Sequence, residues 1–309
     1  MKQYSSAESA INVISNGPSR DERQNLLRTF REMARELIEY RELLWQMTLR
    51  DIRIRYKQAI MGFGWAIFMP VVIVGAGFLI KYAMAEMAGT HFKMDDFASM
   101  AVKAVPWAFF VGAIGFATGS LTGNVSLITK IYFPREIFPL SAVLAQAFDS
   151  AIGLMVLAVI LFPFLGIGLS VQVVWFVPLA ILLLFFTSGL ALFLSCANLF
   201  FRDVKYIVQI LLTFGIFFTP VFYEATNLGP KGCALMMLNP LAPLLEGFRL
   251  AVVEHHNLLH SLVVVSPAGR EILAWQPWYL VYAAAWALLG SLVAWLMFHK
   301  LEFVYAEYI

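Results

Sequence analysis

The chain has 309 residues, of which 61% are hydrophobic and only 14% charged, with a net charge of +2 and a mean hydropathy of +0.76. A soluble domain carries roughly 25% charged residues, so a surface this poor in charge cannot face water on all sides. The same figures exclude a disordered chain, a nucleic-acid binder and a disulfide scaffold, and they point to an integral membrane protein whose spans are read from hydropathy.

The first sixty residues form a polar arm. From Leu26 through Phe30, Met33, Leu37, Leu44, Trp45 and Ile52 the apolar residues keep the spacing of one helix face, and Arg28/Glu32 and Arg35/Glu39 add supporting pairs four residues apart. Two compatible readings stay open: a helix lying in the membrane interface with Trp45 as anchor, or one packed against the spans. Arg50, Arg53, Arg55 and Lys57 then face a single acid, Asp51. Such a cluster marks a cytoplasmic flank, or attracts anionic headgroups at about 1 kcal/mol per cation. No apolar stretch lies near the start, so insertion is expected to begin at an internal span.

A crossing needs about 20 apolar residues at a rise of ~1.5 Å each. The gaps between charges give six spans: residues 61–80, 105–128, 137–165, 173–199, 206–223 and 278–298. Pro163 and Gly166-Ile-Gly168 supply the turn between the third and fourth. One further apolar run, residues 232–245, is short and broken by Asn239-Pro-Leu-Ala-Pro243. Backbone freed by its prolines must be covered by protein or water, so it is expected to be re-entrant rather than spanning.

Orientation follows from the side on which Lys and Arg gather. With six spans, 16 of the 22 cations fall on the side of the arm, the loops after spans two and four, and the tail. That side is expected to be cytoplasmic, with both termini inside. The domain plan is then a cytoplasmic arm at 1–60, a six-span unit at 61–299 with an outer hairpin at about 231–252, and a tail at 300–309.

Catalytic chemistry has little to draw on. There is no phosphate-binding G-x-x-x-x-G-K-[S/T] loop, no H-E-x-x-H and no G-x-S-x-G. Cys196 and Cys233 have no ligand spacing, and His255, His256 and His260 read as a polar segment rather than a metal site. Asp149 is the one ionisable group expected inside a span, and a functional role and a helix-packing hydrogen bond stand equally for it. Ion-coupled transport normally needs several such groups.

Several segments together resemble a known family. Arg53-Ile-Arg-Tyr-Lys57, Met61-Gly-Phe-Gly-Trp65, Pro106-Trp-Ala-Phe-Phe110, Tyr132-Phe-Pro-Arg-Glu136, Arg202-Asp-Val-Lys205, Thr219-Pro-Val-Phe-Tyr223 and Asn239-Pro-Leu-Ala-Pro243 with Gly247-Phe-Arg249 are similar, in this order, to ABC-2 type permeases that export polysaccharides. The resemblance implies an all-α, six-span inner-membrane permease that forms a homodimer, binds two copies of a separate ABC ATPase, and moves an undecaprenyl-pyrophosphate-linked glycan, O antigen first among the choices. Capsule, teichoic acid, a drug or a lipid would be carried by the same fold. It also implies that this chain is not an enzyme and needs no cofactor, since ATP and Mg would be bound by the partner. Lys130, Tyr132, Phe133, Pro134, Arg135 and Glu136 would couple to that ATPase, and Glu224, Glu246 and Arg249 would ring the outer mouth. Phe63, Trp65, Trp107, Phe109, Phe110, Phe218, Phe222 and Tyr223 would line the glycan path, an aromatic membrane belt being the other reading for each. Arg50, Arg53, Arg55 and Lys57 would attract the pyrophosphate.

Overall fold

The computed structural model describes residues 31, 35–57, 64–87, 89, 94–128, 133–164, 166–265, 269 and 271–308. The chain divides into two units, residues 1–43 and 44–309. In the first, residues 35–39 are helical and the Tyr40 amide donates to the Glu36 carbonyl; the start of the amphipathic stretch, residues 26–34 apart from Arg31, lies outside the described residues.

Helix α1 (Arg41–Tyr56) carries the cation cluster at its C-terminal end, where basic side chains suit the helix dipole. Thr48 and Ile52 are buried, while Trp45 and Ile54 are exposed. Part of this helix therefore packs within the chain, as the packing reading expects.

Among the described residues, four helices are long and apolar enough to cross a membrane: within α3 (Met94–Thr118), through α6 (Ile137–Val159) to Pro163, from Val171 through α7 (Phe176–Phe200), and within α11 (Pro277–Tyr308). They fall on expected spans two, three, four and six. Helix α2 (Gly64–Met87) covers the first expected span. Exposed Ile67, Phe68, Phe185, Phe193, Trp286 and Leu289 form the apolar surface that lipid contact requires.

Three boundaries differ from expectation. The helix of expected span two begins at Met94, well before residue 105, because Lys103 is buried inside it rather than placed at its border. Residues 120–128 consequently form two short helices, α4 (Ser120–Gly123) and α5 (Val125–Ile128), instead of the end of a span. The fifth span does not run unbroken to residue 223: α8 (Val204–Gly215) tightens into a 3₁₀ turn at Ile216–Phe218 and stops where Pro220 can supply no amide donor.

Between α6 and α7, Pro163 sits in a π-helical turn at Ile160–Phe164, and Gly166 takes the left-handed conformation (φ +66°) that reverses the chain. The Ser170 hydroxyl then accepts from the Gln172 amide to start the next helix.

The interrupted run after span five folds as two helices, α9 (Gly229–Met236) and α10 (Leu241–Val252). Asn239 joins them: its amide donates to the Phe218 carbonyl and the Thr219 hydroxyl, and its side-chain oxygen accepts from the Leu241 amide. All 12 residues of α10 are buried. The expectation of helix alone is corrected by a two-stranded antiparallel hairpin, β1 (Leu262–Val265) and β2 (Glu271–Trp275). Its Val263-Val-Val265 run favours a strand, and the Trp275 indole fixes it by donating to the Leu258 carbonyl.

Candidate functional site

Helix α3 carries a polar cluster near each end, and the two lie about 20 Å apart along its axis by the helical rise from Lys103 to Phe116. At the Phe116 end the cations of α1 meet the bundle. Arg55 Nη1 donates to Asp149 Oδ2 (2.6 Å) and to Gln146 Oε1 (2.9 Å), and its guanidinium lies 3.9 Å above the Phe116 ring. The Tyr56 hydroxyl donates to the other Asp149 oxygen at 2.6 Å. Burial, followed by the bond to Asp149, pushes the Tyr56 hydroxyl above its usual range, so it stays a donor.

This cluster forms the floor of a cavity of about 740 Å³. Its walls are Trp65 and Ala76 of α2, the Ala104, Trp107, Ala108, Val111, Gly112 face of α3, and Ile216 and Phe222 beyond α8. Apart from the floor and Ser150, the lining is hydrocarbon or aromatic ring.

The four clustered cations therefore divide. Arg50 binds Asp51 through two donors, and Asp51 also accepts from the Ser141 hydroxyl. Arg55 is committed to Asp149, while Arg53 and Lys57 are exposed.

The second cluster joins α3 to α10. Arg249 reaches Glu246 Oε1 through Nη2 and Nε at 2.5 and 2.8 Å, and its Nη1 meets Glu254 at 2.8 Å. Lys103 Nζ donates to the Tyr223 carbonyl at 2.7 Å and lies 3.7 Å from Glu246 Oε2. Lys103, Glu246 and Arg249 are 1%, 1% and 3% exposed. Glu246 and Arg249 thus face the protein interior of the chain rather than an opening, and Glu224 is half-buried. The sequence reading missed Lys103; the apolar residues on both sides of it, from Met100 to Trp107, are the signal that it lies within a helix rather than at its border.

The remaining candidates separate in the same way. Trp65, Trp107 and Phe222 meet in the cavity. Phe109 lines a smaller apolar cavity of about 340 Å³ with Leu154 and Phe248. Phe110 packs on Phe186, Phe218 is exposed, and the Tyr223 hydroxyl donates to the Phe217 carbonyl. In the loop before α6, Phe133 and Pro134 are buried, with the Phe133 ring 5.4 Å from that of Phe138, and Arg135 is half-buried. Glu136 is buried 3.6 Å from His299 Nδ1, tying this loop to α11. Phe63, Lys130 and Tyr132 lie outside the described residues. Among the described residues, no three His, Cys, Asp or Glu side chains gather as a metal site would require.

Residues 42–253 match the family model described as ABC-2 type transporter. The chain is 27% identical over 250 residues to a Myxococcus xanthus protein named O-antigen export system permease protein RfbA, covering 79% of this chain and 92% of that one. It is 28% identical over 210 residues to a Klebsiella pneumoniae protein of the same name, covering 67% and 79%. With its long apolar helices in the same stretch as the family match, the chain belongs to the ABC-2 type transporter family and is a mostly helical, multi-pass membrane protein.

Proposed function

We propose that the chain is the membrane subunit of an ATP-driven exporter that carries lipid-linked O antigen outward across the inner membrane. The observation that carries this reading is the family match joined to relatives named as O-antigen export permeases over most of their length. The lack of a nucleotide-binding loop in the sequence agrees with a subunit that draws energy from a partner.

In this reading α2, α3, α6, α7, α8 with residues 219–223, and α11 cross once each, both termini are cytoplasmic, and α9–α10 dips into the outer face. At ~1.5 Å per residue for α8 and ~2 Å for its 3₁₀ turn, residues 204–218 reach only about 24 Å against a hydrocarbon core of ~30 Å, so the following loop completes the passage. Two copies pair, and each receives an ABC ATPase, which binds ATP and Mg, against residues 123–136. Arg53 and Lys57, the exposed members of the cluster, meet the pyrophosphate, while Arg50 is held by Asp51. Exposed Phe218 presents its ring to the sugar, while Phe109 and Phe110 serve as packing.

The test is reconstitution with a candidate ABC ATPase in proteoliposomes. Lipid-linked O-antigen glycan is expected to stimulate ATP hydrolysis and to become accessible on the opposite side. Stimulation by a drug or phospholipid alone, with none by the glycan, overturns the assignment.

A further inference from the structure

The floor of the 740 Å³ cavity holds donors that no described acceptor takes up. Both hydrogen bonds of Arg55 leave from Nη1, so among the described residues its Nε and Nη2 groups have no acceptor, although the side chain is only 16% exposed. Asp149 and the Phe116 ring fix the guanidinium in place, which leaves its other edge presented as a fork to an oxygen anion. Four cations against Asp51 and Asp149 leave this end net positive by two.

From that fork the cavity continues along α3. Ala104, Ala108 and Gly112 repeat every fourth residue and keep one helix face low, while Trp65, Trp107, Val111 and Phe222 wall it in. At Gly112 the Gln146 side chain lies 2.7 Å from where a Cβ would sit, so Gln146 bounds the groove at its Arg55 end and the open stretch lies along Ala104 and Ala108. From Ala104 to Phe116 the groove runs about 18 Å by the helical rise. One leaflet of the ~30 Å hydrocarbon core is about 15 Å deep. A charged end followed by a leaflet-deep apolar channel fits a phospholipid acyl chain; a C55 polyprenyl chain is far longer than the channel.

We propose that this groove is a binding site for an anionic phospholipid of the leaflet nearest Arg55, its phosphate on Arg55 Nε and Nη2 and one acyl chain along Ala104 and Ala108. That leaflet is the cytoplasmic one, a detail that rests on the orientation proposed above; the site itself does not depend on what is exported.

The full chain in nanodiscs is exposed to phosphatidylglycerol bearing an acyl-chain diazirine, photolysed, and the label mapped by mass spectrometry. Label is expected within residues 104–116 or on Trp65, competed at least fivefold better by phosphatidylglycerol than by phosphatidylcholine. Arg55→Gln is expected to lower it at least fivefold, and Ala108→Phe to abolish it. Equal competition by both phospholipids, label confined to other helices, or preferential displacement by undecaprenyl pyrophosphate overturns the site; the last result makes the groove a carrier-chain site instead. Should Ala108→Phe fail to fold, the competition on the unsubstituted chain decides alone. Export of O antigen is measured separately, so loss of that activity assignment leaves the lipid result standing.

Discussion

Glu246 holds two buried cations, and an ion so placed is worth most through what its removal leaves behind. Without its carboxylate, Lys103 and Arg249 stay in the interior at 1% and 3% exposure and lose the buried anion between them, with Arg249 still meeting half-exposed Glu254 and Lys103 the Tyr223 carbonyl. Breaking such a group typically costs about 3–5 kcal/mol. Glu246→Ala is therefore expected to lower the thermal unfolding midpoint sharply in detergent, whereas Glu254→Ala, whose side chain is 50% exposed, should cost about 0–1 kcal/mol. Equal shifts in the two variants would show that burial does not set the energy here. The same contrast applies at Asp149, where Asp149→Ala removes bonds to Arg55 and Tyr56 and should cost about 2 kcal/mol, and Tyr56→Phe about 1 kcal/mol. Asp149 stood out in the sequence as a lone carboxylate between apolar residues. Its partners did not, because Arg55 and Tyr56 lie more than ninety residues earlier and only the folded arm brings them back.

The helices themselves were mostly legible from the gaps between charges, because lipid admits few charges and a crossing has a minimum length. That logic fails where a charge finds a partner inside the protein. Lys103 looked like the border of span two, and its ion pair with Glu246 places it inside a helix that begins at Met94. Glu246 and Arg249 looked like rim charges for the same reason. The spacing also gave no warning that α8 would stop at Thr219-Pro220, since uncharged residues continue to Tyr223. Helix packing, by contrast, is set by single small residues that hydropathy ignores. A Cβ at Gly189 of α7 would lie 2.5 Å from the Ser291 Cα of α11, a backbone atom that cannot rotate away. Gly189→Ala is expected to push the two helices apart and destabilise by about 1–3 kcal/mol. Gly115→Ala meets nothing within 4 Å and should be neutral or slightly stabilising, helped by the better helix propensity of alanine. Thermal unfolding of both variants, read side by side, checks this; a milder effect at 189 than at 115 would contradict the close approach.

For the whole molecule, one quantity organises the insertion: 16 of 22 cations gather on one side when six crossings are counted. An uneven number of crossings would place the tail across from the arm, so the number of spans and the orientation stand or fall together. The four helices that meet the length and hydropathy requirement leave α2 and the short α8 as the crossings to be tested. Single cysteines separate the possibilities, and the chain suits them, because its own Cys196 and Cys233 are buried. With both replaced by serine, Leu228→Cys and His256→Cys are expected to react with a membrane-impermeant maleimide added to intact cells, whereas Lys57→Cys and Lys300→Cys should react only after permeabilisation. Reaction at 300 but not at 57 from outside means that one crossing is missing. Reaction at 57 and 300 with protection at 228 and 256 inverts the protein and places the exposed cations Arg53 and Lys57 outside. In that case they could not meet a pyrophosphate headgroup arriving from the cytoplasm, and the export direction proposed for this chain would fail with its topology.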